Sequence, residues 1–177
     1  MRADLVIRPE RPQDHAAVAD LLDAAFPAAG GGHAAERTLV DGLRSDGDVL
    51  APLTFVAELD GEVVGSVVCS RATLGEGRSV GLGPVAVRPD LQRQGIGAAL
   101  MASVVATADQ HGEPAVVLLG DPEYYGAFGF EPASGHGILS PGPWGDRFFQ
   151  VRTLRAWRPS LAGRFRYAPA FERLDEV

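Results

Sequence analysis

The sequence predicts an α/β (α+β) chain: one domain, with a mixed central sheet and helices on both faces. Three observations carry that prediction. Strand-like runs follow one another directly around Asp60-Gly61, the hairpin signal. The best helical pattern, Gly95 to His111, stands between two apolar runs, the strand-helix-strand order that lays two strands parallel. No linker-like stretch divides the 177 residues, a length close to the modal domain size.

The elements follow in order. Leu5 to Arg8 alternates and is closed by Pro9, which reads as a first strand. Pro12 to Phe26 places Val18, Leu21, Leu22, Ala25 and Phe26 at helical spacing and stops at Pro27. Ala28 to Gly32 is a flexible joint, and Ala34 to Arg44 repeats Leu39, Val40 and Leu43 as a second helix. Leu53 to Leu59 and Glu62 to Ser70 are strands around a dipeptide suited to a type I′ turn. Ser79 to Val87 is the next strand and contains Gly81, Gly83 and Pro84. Proline removes a ladder donor and glycine loosens pairing, so this strand is expected to bulge or splay near Pro84. In Gly95 to His111, Ile96, Leu100, Val104 and Ala108 recur every four residues, and Gly112 ends the helix. Ala115 to Leu119 is a short, fully apolar strand of the kind found at a sheet centre. Asp121-Pro122 starts a brief helix that runs to Phe128, with Asp as N-cap and Pro at the first helical position. Glu131 to Gly145 is rich in Gly and Pro and has no period; Phe148 to Leu154 is a late strand and Arg164 to Tyr167 a candidate for another. The expected core spans residues 5–154, with 155–177 as a C-terminal extension.

Composition excludes several chemistries. Hydrophobic residues make up 46% and charged residues 22%, enough apolar material to bury roughly 70% of the unfolded surface. All 16 basic residues are Arg, so no lysine is available for a Walker phosphate loop or a Schiff base. The net charge of -7 is uneven: Met1 to Asp146 carries 9 Arg against 20 acids, whereas Arg147 to Val177 carries 7 Arg against 3. That basic tail lacks aromatic interleaving, so it reads as solvated strand faces rather than a nucleic-acid surface. The single cysteine, Cys69, cannot form an internal disulfide and reads as a small buried residue. No apolar run approaches the ~20 residues of a membrane span, and the N-terminus shows no signal-type apolar segment. A cytoplasmic protein without a membrane partner is expected. His15, His33, His111 and His136 are scattered away from one another and from Cys69, so no metal site is expected.

The chemistry concentrates at Val85-Ala-Val-Arg-Pro-Asp-Leu-Gln-Arg-Gln-Gly-Ile-Gly97, where a strand passes through a glycine-containing turn into the best helix. The unpaired N–H groups of a helix's first turn, aided by the macrodipole, attract an anion. Gly95 and Gly97 let a diphosphate approach the backbone, and Arg93 can add a charge-assisted bond. The alternative is a plain helix start with two incidental glycines, in a chain with 22 of them. A dinucleotide fingerprint is rejected, because it needs Gly where Leu100 stands. Gly77-Arg-Ser79-Val-Gly81 satisfies G-x-S-x-G, the serine-hydrolase elbow, but it opens a strand instead of joining a strand to a helix. A serine hydrolase using Ser79 stays as the remote alternative.

Gln92-Arg-Gln-Gly95-Ile-Gly97 resembles the Q/R-x-x-G-x-G/A motif of the GNAT superfamily of N-acetyltransferases, preceded, as there, by an apolar strand ending in Val-x-Pro, here Val87-Arg-Pro89. Tyr125-Gly-Ala-Phe-Gly129-Phe130 resembles the Tyr-x-x-x-Gly-Phe signature of the next helix and turn in the same superfamily. The element order from Leu5 to about Leu154 is similar too, and the C-terminal part resembles a bacterial branch. The resemblance implies an acyl-CoA N-acyltransferase fold with acetyl-CoA as co-substrate. By the resemblance, the backbone at Val85 and Val87 binds the pantetheine arm. The motif residues Gln92, Arg93, Gln94, Gly95, Ile96, Gly97 and Ala98 form the cofactor site, the amides from Arg93 to Ala98 cradling the pyrophosphate. The superfamily opens a V between its fourth and fifth strands, in agreement with the weakened strand at Pro84.

Tyr125 matches the position of the general acid; the other reading is an ordinary rim aromatic on a short helix. A phenol near pKa ~10 facing a thiol near ~8.5 is an imperfect match. Tyr124 is expected to point elsewhere on the helix. Many family members carry a glutamate on the strand before the first motif, but Ser79 to Val87 has no carboxylate. Glu36, Glu76 and His33 are candidate bases through water, or solvated surface groups. The expected reaction is direct acetyl transfer to a primary amine in a ternary complex. The alternative is an acyl-CoA-binding module without catalysis. The chain is expected as a monomer or homodimer, with the loops Glu131 to Gly145 and Gly30 to His33 bordering the acceptor.

Overall fold

The computed structural model describes residues 4–174. Along the chain the elements are β1 (Leu5–Pro9), α1 (His15–Ala25), α2 (Ala35–Asp46), β2 (Phe55–Leu59), β3 (Glu62–Leu74), β4 (Gly77–Val87) and α3 (Ile96–Gln110). They continue with β5 (Ala115–Leu119), α4 (Pro122–Tyr125), β6 (Glu131–Pro132), β7 (Ile138–Leu139), β8 (Phe149–Thr153), β9 (Gly163–Arg166) and α5 (Pro169–Glu172). The strands form a mixed sheet in the order β1-β2-β3-β4-β5-β8-β6, with β9 paired to the far end of β3 and to β7. Among the described residues, only β4–β5 and β7–β9 pair in parallel.

Local chemistry explains the best-read elements. Asp60 and Gly61 both have positive φ, 52° and 81°, as a type I′ turn requires. β3 is buried without a break from Val64 to Ser70 because helices cover both faces, so this stretch does not alternate between apolar and charged residues. Val67 and Cys69 pack with Ile96, Leu100, Met101 and Val104 of α3. Val68, one step out of phase, packs with Val18 and Leu22 of α1 and Leu39 and Leu43 of α2. Each fully buried Leu or Val in these layers is worth about 1.5–3 kcal/mol.

The β3–β4 ladder pairs Val67 with Val85 but Cys69 with Leu82, so β4 carries one extra residue at Gly83-Pro84. This is the expected bulge. β4 pairs with β5 only at Val80–Val116 and Gly81–Val117. Beyond Gly81 the two strands part, which is the expected splay.

Two segments differ from the sequence expectations. The Glu131 to Gly145 stretch contains β6 and β7, two residues each, too short to show a period. The segment after Leu154 is woven into the fold: Thr73 pairs with Arg166 and Leu74 with Phe165. Phe165 is fully buried, and Ala168 and Ala170 belong to the α1–α2 core. Its arginines hid this, since Arg164 and Arg166 lie on the exposed side of β9.

Candidate active site

Where β4 leaves β5, its edge from Leu82 to Val87 faces no strand, and a wedge opens between the two. Val85, Val87 and Leu91, the first turn of α3 and the paired tyrosines of α4 line a cavity of about 320 Å³ there. Unpaired strand edges offer alternating N–H and C=O groups to a ligand lying alongside.

The turn between β4 and α3 is built from side chains that tie it to itself. Leu91 is buried, Gln92 Nε2 donates to the Val87 carbonyl at 3.2 Å, and Gln94 Nε2 to the Asp90 carbonyl at 3.4 Å. Arg93 (φ 62°) and Gly95 (φ 87°) both adopt left-handed backbone. Turns that bring left-handed residues into the backbone can aim successive N–H groups into one anion-binding concavity. A left-handed arginine costs about 1–2 kcal/mol, and such strain concentrates at ligand sites. The first intrahelical bond is Ala99 N–H to the Gly95 carbonyl, 3.1 Å, so Ile96, Gly97 and Ala98 N–H have no helical partner. Arg93 lines the wedge, while the neighbouring Arg88 is the one paired with Glu62 and Asp90. Amides, helix dipole and the Arg93 guanidinium therefore border one wedge as a diphosphate would need. All the predicted cofactor residues line the wedge except Gln94, whose side chain turns back to Asp90.

α4 delivers the tyrosines. Asp121 caps it as expected, its Oδ1 accepting the Glu123 N–H at 2.9 Å. Tyr125 packs edge-on to Phe130, 6.1 Å between centroids, and to Tyr124, 4.8 Å. Burial first, then the nearby Tyr124 and Asp121, pushes its phenol up to about 12, above the ordinary value used in the sequence reading. Tyr124 does not point elsewhere: it lines the same wedge, and a Cβ on Gly97 would stand 2.5 Å from its hydroxyl. Helical spacing missed it because α4 is a single turn ending in a 3-10 turn, Gly126–Phe128, so adjacent side chains share the narrow wedge.

The candidate bases lie outside the wedge. His33 Nδ1 is 2.8 Å from Asp23 Oδ2, at the α1–α2 joint. Asp23 Oδ1 also accepts the Ala34 N–H, which with His33 and Arg37 holds its carboxyl down at about 2. Glu36 lines a separate cavity with His33 and Phe26. Glu76 sits in the β3–β4 turn. The described residues lining the wedge include no carboxylate. Ser79 lies inside β4, fully buried, its hydroxyl donating to the Ala115 carbonyl at 3.1 Å, so the elbow geometry of a serine hydrolase does not form. Burial pushes the Cys69 thiol up, leaving it inert. The sequence reading also missed Glu113, buried and held by Arg71 at 2.7 and 3.0 Å across 42 residues of chain.

The model described as Acetyltransferase (GNAT) family matches residues 16–130. The N-acetyltransferase YhbS of Escherichia coli K12 is 34% identical over 152 residues, 85% of this chain and 87% of its own length. The N-acetyltransferase YjhQ of the same strain is 32% identical over 145 residues, 77% of this chain and 80% of its own. The crystal structure of YhbS from Escherichia coli in complex with CoA matches with a TM-score of 0.87 at 32% identity, covering 98% of this chain and 94% of that one. A GNAT family acetyltransferase from Brucella melitensis in complex with acetyl-CoA matches with a TM-score of 0.77 at 32% identity, covering 96% and 99%.

Proposed function

The chain belongs to the GNAT family of acetyltransferases and is an acyltransferase, and from that premise we propose that it moves the acetyl group of acetyl-CoA to a primary amine by direct attack in a ternary complex. The observation that carries this reading is the parting of β4 from β5 after Gly81–Val117, directly beside the left-handed turn that opens α3. The amides of Arg93 to Ala98, with the Arg93 guanidinium, hold the diphosphate. The free edge of β4 at Val85 and Val87 holds the pantetheine arm, which then runs back toward Gly81 and brings the thioester beside Tyr125.

Magnitudes decide what Tyr125 does. With its phenol near about 12 and a thiol near ~8.5, outright proton transfer to the leaving sulfur is uphill by roughly 5 kcal/mol. Tyr125 therefore donates a hydrogen bond to the sulfur and gives up its proton only as it takes the one lost by the attacking nitrogen. The C–N bond forms, the C–S bond breaks, the phenol's proton ends on sulfur, and the nitrogen's proton replaces it on Tyr125. The amine enters uncharged, since an ammonium has no lone pair to attack with.

Two measurements test the reading: calorimetric titration with acetyl-CoA, and release of free thiol with a panel of primary amines. Binding together with thiol release that Tyr125→Phe lowers supports it. Binding without release across the panel, unchanged by Tyr125→Phe, would instead fit the module that binds acyl-CoA without catalysis.

A further inference from the structure

We propose that Gln150 and Arg152 of β8 are positioning residues for acetyl transfer, which clamp the two ends of the 120–129 turn and so hold Tyr125 at the wedge. This rests on the role given to Tyr125 above and adds the side chains behind it.

The turn depends on outside support. α4 is four residues long and passes directly into the 3-10 turn Gly126–Phe128. A helix this short has too few internal bonds to fix its own place, so its position is set by what holds it. Its ends also leave backbone groups that bonding within the helix cannot satisfy.

β8 supplies the partners. Gln150 pairs with Leu118 and Arg152 with Val116, and directly opposed residues share a sheet face. Leu118 and Val116 belong to the core layer against which Tyr125 and Phe128 pack, whereas Phe149 and Val151 belong to the layer on the other face. Gln150 and Arg152 therefore face the turn. Gln150 Nε2 donates to the Gly120 carbonyl at 3.0 Å, just before α4. Arg152 Nη1 donates to the Phe128 carbonyl, where the 3-10 turn ends.

Each end of the turn is also a place without a side chain. A Cβ on Gly120 would collide with the Tyr125 ring, and one on Gly129, whose φ is +81°, would collide with the Arg152 guanidinium. Ring and guanidinium thus lie directly on the backbone. Gln150 is the more telling of the two clamps, being only 1% exposed. An apolar side chain would be buried there at less cost, and a buried amide needs a partner. Its partner is the residue on which Tyr125 rests. The Arg152 bond is charge-assisted, and a cation at the carbonyl end of a helical turn also meets the dipole.

The test follows release of free thiol from acetyl-CoA by the full chain, with butylamine, phenethylamine and spermidine as acceptors. Gln150→Met keeps the length of the side chain and removes the donor. Arg152→Leu removes donor and charge, and Arg152→Lys keeps both. Gln150→Met and Arg152→Leu should each lower kcat about ten- to hundredfold, with calorimetric affinity for acetyl-CoA held within about threefold. Arg152→Lys should recover most of the loss. In a Tyr125→Phe background the same substitutions should change kcat by less than about twofold, because the hydroxyl they position is gone. Full turnover in either Gln150→Met or Arg152→Leu, or an Arg152→Lys no better than Arg152→Leu, would overturn the proposal. So would equal losses with and without the Tyr125 hydroxyl, or acetyl-CoA affinity lost together with kcat. A wild type that releases no thiol, or a Tyr125→Phe variant that releases it at the full rate, would count against the acetyl-transfer reading instead.

Discussion

Tyr125 is seated by the missing side chain of Gly120. A Cβ built on Gly120 would lie 2.9 Å from Cδ2 of the ring and closer still to Cε2. Gly120 itself cannot yield: its N–H donates to the Phe148 carbonyl at 2.9 Å, and its own carbonyl accepts from Gln150 Nε2 at 3.0 Å. In Gly120→Ala the ring must leave. We expect turnover to fall about 10²-fold or more, as in Tyr125→Phe, with acetyl-CoA affinity held within about threefold. Steady-state kinetics beside calorimetry check this; a fully active Gly120→Ala would remove Tyr125 from the reaction.

The pH profile follows from the same burial. A raised phenol stays protonated further into base, and at about 12 Tyr125 remains a donor throughout the working range. The kcat/KM of the enzyme should rise as the acceptor amine loses its proton, near pH ~10 for a free primary amine, with no falling limb below that value. A falling limb between pH 8 and 10 that disappears in Tyr125→Phe would keep Tyr125 as the donor but contradict the raised phenol.

Gly95 tests the diphosphate cradle without a steric effect. Nothing lies within 4 Å of a Cβ added there, but its φ of +87° is a conformation that L side chains rarely adopt. Gly95→Ala should cost about 1–2 kcal/mol of the bound geometry, a five- to thirtyfold weaker Kd for CoA. An unchanged Kd in that variant would show that the turn does not hold the diphosphate.

The Arg71–Glu113 pair anchors the start of β5 against β3. Glu113 is buried while the Arg71 side chain is 33% exposed, so water softens the loss when the charge is removed. Glu113→Gln should destabilise by about 1–3 kcal/mol, lowering Tm by roughly 3–10 °C. Thermal unfolding measures it.

Asp14 makes stability sensitive to acid. Two bonds from Arg8, 2.7 and 2.9 Å, hold its carboxyl below the usual range, helped by the Arg11 N–H at 2.7 Å. A depressed carboxyl contributes stability above the unfolded value, near ~3.9, and loses it as pH falls through the folded value. The Tm gap between the wild type and Asp14→Asn should therefore be full at pH 7 and shrink below about pH 4. A gap independent of pH would assign the effect to packing alone.

Features settled within a few neighbouring residues were legible in the chain. Asp60-Gly61 needs only its own two dihedrals to turn the hairpin. Asp121 caps α4 through an amide two residues away. The apolar period of α3 and the glycines of its opening turn lie in one segment, so the cofactor residues could be read together. Tertiary structure decided the rest, because it depends on which distant surfaces meet. Gly81 is a pairing flaw until Tyr167 fills the space beside it. Arg71 and Glu113 look like two surface charges until folding buries one of them against the other. Phe165 reads as one apolar residue among arginines until β9 docks on the end of β3. Short-range backbone preference is written residue by residue. Burial is shared between segments far apart in the chain, and no window of sequence contains both halves of such a contact.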